Sequence, residues 1–209
     1  MSDADVPPVS PSPSPTSAPV SAPVSAWWPT TLCTERLVLR PAGEQDLRVA
    51  EVLWRDERVR AYMGGPVSED RIRMRRAYLP GAVGVFAVAL RETGAMIGLV
   101  TIDPRSSRGA TEVSYQLLPE SWGLGLGREA VGAAVGWALD SVPGTARIVA
   151  VTRAANRASC RLLESIGMRC TDELVEYGER QALYLTAPAP TSPGRDAVPA
   201  ATGLLPGAL

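Results

Sequence analysis

Three glycines alternate with two leucines in the run Ser121-Trp122-Gly123-Leu124-Gly125-Leu126-Gly127-Arg128-Glu129-Ala130, and an Ala-rich apolar pattern of helical character follows at once. Glycine lets backbone come close to an anion, and the start of a helix points several unpaired N–H groups in one direction. This stretch is expected to hold a phosphate-bearing ligand at a helix N-terminus. The other chemistry open to the chain is narrowed by an absence, since there is no histidine. That removes Ser-His-Asp and Cys-His catalysis, His-ligated zinc and HExxH chemistry together. Cys33, Cys160 and Cys170 lack metal-ligand spacing, so no metal is expected. Acid–base work falls to carboxylates, Tyr, Ser, Cys or water.

The elements that must position this loop are bounded by composition. A chain of 209 residues suits one domain plus tails. A net charge of −1 argues against a nucleic-acid binder. An odd set of unpaired cysteines fits a reduced, cytoplasmic setting. No apolar run reaches the roughly 18 residues of a membrane span, so no membrane partner is expected. The start, Met-Ser-Asp-Ala-Asp, is acidic and then Pro/Ser-rich, unlike a signal peptide or a mitochondrial presequence. Residues 1–30 are poor in large apolar groups and are expected to be a disordered Pro/Ser/Ala-rich tail, with Trp27 and Trp28 either docking it or marking the edge of the fold. A folded unit is expected over 31–187, and 188–209 as a second flexible tail.

Within the unit, Arg36–Arg40 alternates as a strand, and Glu44 to about Arg55 and Glu69 to Tyr78 read as helices. Val85–Leu90 and Met96–Asp103 are β-branched runs joined by a hairpin signal at Arg91-Glu92-Thr93-Gly94. Thr111–Leu118 continues as a strand. A largely buried helix is expected from Leu126 to about Ser141, then a strand over Arg147–Thr152. A helix over Asn156–Ile166 carries a stripe of Ala155, Ser159, Leu162, Leu163 and Ile166. Two strands, near 169–176 and 180–186, end the domain. The order predicts an α/β fold, a mixed and mostly antiparallel sheet with one central βαβ unit.

Two ligands compete for the loop. Gly125-Leu126-Gly127-Arg128-Glu129-Ala130 fits a dinucleotide GxGxxA pattern, yet Pro119–Trp122 separates it from its strand and the next strand ends Val151-Thr152-Arg153 without a carboxylate. A P-loop is excluded because no Gly-Lys-Ser/Thr follows. The loop's neighbours decide the matter. Thr34-Glu35-Arg36-Leu37-Val38-Leu39-Arg40-Pro41 opens the domain, Val113 to Gly123 leads into the loop, and Asn156 to Met168 follows the next strand. Together these three segments resemble the GNAT N-acetyltransferase superfamily, in its ribosomal-protein-alanine acetyltransferase-like branch.

The resemblance implies the GNAT fold, with two central parallel strands splayed apart, and acetyl-CoA as co-substrate. It implies that Gly123, Leu124, Gly125, Leu126, Gly127 and Arg128 hold the pyrophosphate by backbone N–H groups, that Leu117 polarises the thioester carbonyl, and that Asn156 touches the pantetheine arm or simply caps its helix. It makes Glu112 the general-base candidate and Ser159 the donor to the departing thiolate, since Leu163 stands where many members have Tyr. Cys160 is expected to be structural, and Tyr115 and Tyr184 to be packed strand aromatics. Arg71, Arg73, Arg75 and Arg76 read as a solvated basic face, or as a bias toward an acidic acceptor. The expected function is acetyl transfer to a primary amine, on a peptide N-terminus or a small molecule, in a ternary complex; a homodimer is left open. The alternative is a non-catalytic acyl-CoA-binding module on the same scaffold.

Overall fold

The computed structural model describes residues 24–187 apart from Ser107 and Tyr177 and the side chain of Ser25. Of the tails expected at 1–30 and 188–209, residues 1–23 and 188–209 lie outside the described residues. Eight strands form one sheet: β1 (Leu32–Cys33), β2 (Leu37–Pro41), β3 (Val85–Leu90), β4 (Met96–Asp103), β5 (Thr111–Leu117), β6 (Ile148–Arg153), β7 (Arg169–Glu176) and β8 (Glu179–Leu185). Their order is β1-β2-β3-β4-β5-β6-β8-β7. Neighbours run antiparallel except β5 and β6, which are parallel. This is the mixed sheet expected. The parallel pair is joined by helix α4 (Leu126–Ser141), the central βαβ unit.

Strand alternation assigns the two faces. Leu37, Leu39, Phe86, Val88, Val100, Ile102 and Val113 project toward α4, whose Ala130, Val131, Ala134, Val135 and Ala138 are buried against them. Small residues on this helix bring it close to the sheet. Helix α5 (Arg157–Ser165) adds Cys160 and Leu163 to the same core. On the other face Val85, Ala87 and Leu99 meet Ala50, Leu53 and Trp54 of α1 (Leu47–Arg55) and Ile72 of α3 (Glu69–Tyr78). The result is a helix–sheet–helix sandwich.

Two short elements escaped the sequence. Strand β1 has two residues, too few for alternation to register. Helix α2 (Glu57–Arg60) is a single turn, below the length at which apolar periodicity is visible. It is set instead by its cap, for the Asp56 carboxylate accepts from the N–H groups of Arg58 and Val59 at 2.8 and 3.1 Å. Ala155, expected on the buried stripe of α5, is exposed, because the helix begins only after the Asn156 cap; Cys160 takes the buried place.

The folded unit also starts earlier than residue 31. Val24–Ala26 makes a 3₁₀ turn, and Trp27 and Trp28 are 8% and 7% exposed. Trp28 meets Phe86 edge-on at 4.8 Å between ring centroids, and both tryptophans pack on Trp137 of α4. Of the two alternatives for these tryptophans, docking is the one found, and two packed aromatics offset the ordering cost of the residues that carry them. Replacing Trp28 with Ala is expected to lower unfolding stability by about 3–5 kcal/mol. Urea denaturation measures this, and a change under about 1 kcal/mol would show that the segment contributes nothing to the core.

Candidate active site

The site arises where the parallel pair fails to continue. β5 and β6 are paired only at Thr111–Ile148 and Glu112–Val149. Beyond these positions β6 keeps its antiparallel register with β8, from Val149–Leu185 to Arg153–Gln181, while β5 stays with β4 as far as Leu117–Gly98. The two strands splay, and a cleft of about 540 Å³ opens between them. Its walls are Val113–Leu117 of β5, Ala150–Arg153 of β6, the loop around Gly123–Gly127 and the start of α5. From the opposite face Arg58 and Val59 of α2, with Tyr62 and Met63 after it, reach the same cavity. The cleft therefore passes through the sheet and is open to ligands from both sides.

One end of the cleft is an anion cradle. Gly123 and Gly125 hold φ of 72° and 76°, values that a side chain with a Cβ disfavours. Glu129 is the first residue of α4 to donate back within the turn, to the Gly125 carbonyl at 3.1 Å. The N–H groups from Gly123 to Arg128 thus have no backbone partner at the positive end of a 16-residue helix. Gly127 serves packing rather than conformation: a Cβ there would meet Leu162 Cδ1 at 2.8 Å and Leu117 Cδ1 at 3.0 Å.

The cradle is braced from β1–β2. Thr34 Oγ1 and the Arg36 N–H both donate to Glu129 Oε1, at 2.6 and 2.8 Å, and Arg36 Nε donates to Oε2 at 2.7 Å. Arg36 Nη1 also donates to the Leu124 carbonyl at 3.0 Å. Burial pushes the Glu129 pKa up, but the Thr34 and Arg36 hydrogen bonds outweigh it and leave the carboxyl below its ordinary value. A second hollow of about 630 Å³ runs from Gly125 and Arg128 along the outside of α4 past Gly132 and Ala133.

Further in, the strand end offers a donor. The Leu118 N–H donates to Ile97 O at 2.8 Å, so Leu117 lies in the non-bonded pair opposite Gly98 and turns its own N–H and C=O toward the cleft. The Trp122 indole N–H takes the carbonyl at 2.9 Å, leaving the Leu117 N–H to a ligand. Gly98 is required at this crossing, since a Cβ would meet Gln116 O and Leu117 Cδ2, both at 2.4 Å.

Across the cleft, Tyr115 and Ser159 share a hydrogen bond between hydroxyls at 2.7 Å. Burial raises the phenol to about 12, the Ser159 contact opposing the rise. Tyr115 was expected only as a packed aromatic. Its position two residues before Leu117, on the same face, is the signal that could have found it. Asn156 lines the cleft as well, but its Oδ1 accepts from the Ser159 N–H at 3.1 Å, the geometry of an N-cap. Tyr184 is buried and donates to Glu164 at 3.0 Å.

Glu112 stands apart from the expected group. It sits at the closed end of the splay and is not among the residues that line the cleft. Its carboxylate accepts from Ser106 Oγ at 2.9 Å and lies 3.8 Å from Arg108, which is itself bound to Glu176.

The family model for the acetyltransferase (GNAT) domain matches residues 36–169. An uncharacterized N-acetyltransferase p20 of Bacillus licheniformis is 31% identical over 155 residues, 70% of this chain and 86% of that protein. The ribosomal-protein-S5-alanine acetyltransferase of Vibrio fischeri shares the fold with a TM-score of 0.65 at 21% identity, over 79% of this chain and 100% of that one. The spermidine N-acetyltransferase of Vibrio cholerae, solved in complex with CoA and spermine, does so at 0.62 and 18%, over 73% and 95%. The chain belongs to the GNAT acetyltransferase family. Gly125→Val is expected to abolish acetyl-CoA binding in calorimetry while the circular dichroism spectrum is retained, because a β-branched residue cannot hold the left-handed turn. Near-normal affinity would separate the glycine loop from the ligand.

Proposed function

We propose that this GNAT-family chain transfers an acetyl group from acetyl-CoA to a primary amine by direct attack within a ternary complex. The observation that carries the reading is the cleft that pierces the sheet, with an anion cradle and two hydroxyls on one face and a separate opening beside α2 on the other. A thioester and an amine can enter from opposite sides and meet at the level of Leu117. Fixing both reactants in this way supplies much of the rate.

In this reading the N–H groups from Gly123 to Arg128 hold the pyrophosphate, and the hollow outside α4 receives the nucleotide end. The Leu117 N–H donates to the thioester carbonyl as negative charge develops there. One such donor is worth about 3–4 kcal/mol of barrier. Ser159 donates to sulfur and Tyr115 donates to Ser159, a chain in which each bond polarises the next. Magnitudes decide what this pair does. A phenol near 12 lies about 3.5 units above an ordinary thiol, so giving up its proton would cost roughly 5 kcal/mol. The pair therefore stabilises the thiolate by hydrogen bonding and stays protonated. The C–N bond forms as C–S breaks; nitrogen loses one proton and sulfur gains one through solvent. Glu112 accepts the amine proton through water.

Two measurements test these assignments. Ser159→Ala and Tyr115→Phe should each lower kcat about tenfold or more and leave acetyl-CoA affinity within a few-fold. With the hydroxyls intact, kcat should show no descending alkaline limb until pH nears 12. Unchanged turnover in both variants would return the pair to packing. Glu112→Gln should slow the reaction most at pH below the amine's own pKa, where a proton must still be removed, and converge on the unmodified protein at higher pH. A pH profile that is merely scaled would remove Glu112 as base. Tight acetyl-CoA binding with no thiol released for any amine would identify a non-catalytic binding module.

A further inference from the structure

Charge at the opening opposite the cradle is one-sided. Val113 and Leu117 project toward α4, so Ser114 and Gln116 project the other way; the same alternation puts Arg153 of β6 on that face beside its cross-strand neighbour Gln181. Arg58 of α2 reaches the cavity from above them. Among the described residues, no Asp or Glu lines the cleft. Arg58 is bound to Asp56 at 2.8 Å and lies 3.8 Å from Glu120, and Arg153 lies 3.4 Å from Glu179; all three carboxylates are outside the lining.

The corner behind this opening adds cations without carboxylates. Arg60 is 8% exposed and donates only to backbone and sulfur: Nε to Gly65 O at 2.9 Å, Nη2 to Met63 O at 2.7 Å and Nη1 to Met63 Sδ at 3.6 Å. It thereby fixes the turn that presents Tyr62 and Met63 to the cleft. On α3, Arg73 and Arg76 are paired with Asp70 and Glu51. Arg71 and Arg75 have no carboxylate partner among the described residues, and Arg75 lies over the Trp54 ring at 5.5 Å. Burial lowers the pKa of Arg60, and the charges of Arg75 and Arg71 lower it further, so the three form one electrostatic group. Such a group repels a polycation and draws in an anion over about a Debye length.

We propose that the acceptor is a primary amine carried on an anionic molecule, with its carboxylates drawn to Arg153 and the Arg60–Arg71–Arg75 corner. This rests on the acetyltransferase reading of the cleft. It separates the chain from a polyamine enzyme, whose site must offer carboxylates to several ammonium groups.

The test uses the full chain, acetyl-CoA and free-thiol release, with four acceptors: a peptide with acidic residues after its N-terminal amine, the same peptide with lysines in their place, free glutamate, and spermidine. At low salt the acidic peptide should exceed the lysine peptide and spermidine in kcat/KM by about tenfold or more, and the gap should close as salt rises. Arg71→Gln with Arg75→Gln should raise KM for the acidic acceptor about fivefold with kcat and the KM for acetyl-CoA unchanged. The salt series on the unmodified protein stands even if that variant folds poorly. Glutamate used as well as the acidic peptide identifies a small amino acid as the source of the anion; glutamate used poorly identifies a peptide. Equal use of all four, or preference for spermidine or the lysine peptide, overturns the inference and leaves acetyl transfer intact. Acetyl-CoA binding without thiol release for any acceptor sinks the acetyltransferase reading, and this inference with it.

Discussion

A parallel strand pair that holds for two residues and then parts is the constraint on which the rest of the molecule depends. Once β6 leaves β5, two strand edges face each other across a gap, each with backbone groups lacking a sheet partner. Such edges are unfavourable if buried dry, so the gap must be filled by something polar. The protein fills part of it itself: Tyr115 of β5 meets Ser159 of α5 at 2.7 Å, and the Trp122 indole covers the Leu117 carbonyl. What it leaves open, the Leu117 N–H above all, is the complement of an extended ligand with its own amides and carbonyls. On the proposed reading, the co-substrate would take the place of the missing strand, in the manner of β-augmentation.

A gap of this kind keeps its shape only if both sides are fixed, and the sequence spends residues far apart on that. The β5 side is locked by antiparallel pairing with β4, and the β6 side by β8. The cradle between them is held by Glu129, bound from Thr34 and Arg36 more than ninety positions away. A carboxylate near a helix N-terminus is favourable in its own right, but its larger effect here is to free the loop N–H groups. The loop is tied down through a side chain and a carbonyl, Glu129 and Leu124, so none of its own donors is consumed. That is preorganisation: the orientation of the donors is settled before ligand arrives.

What was legible in the sequence follows the range of the interactions. Local signals placed the long elements within a residue or two: alternation over Val85–Leu90, the turn at Arg91–Gly94, and the small-residue helix from Leu126. The glycine loop was readable because φ above zero and close packing both demand glycine. Interactions that join distant segments were not. Nothing near Glu129 announces Arg36, and nothing near Tyr115 announces Ser159. The base candidate shows the same limit. Glu112 was picked for its strand, but its place along that strand, at the vertex of the splay rather than within it, depends on where β6 departs. Trp27 and Trp28 left two outcomes open, docking or an edge, because the surface they meet, Phe86 and Trp137, comes from segments far along the chain.

The lack of carboxylates along the cleft bears on more than acceptor choice. A primary ammonium must become an amine before it can attack, and a site lined by arginine favours the neutral form by electrostatics alone, as a neighbouring cation does for any amine. The same cations would hold an anionic group of the acceptor beside the reacting nitrogen, raising that amine's pKa in turn. These effects oppose each other, and their balance depends on distance: the arginine corner lies at the rim, while the amine must reach the level of Leu117. Inside the cleft Ser114, Gln116 and Gln181 stand on the same face as Arg153, so neutral and cationic side chains share the approach to Leu117. On the proposed reading, charge on this face would select and concentrate the acceptor, and the uncharged polar groups beside it would receive the amine without holding on to its proton.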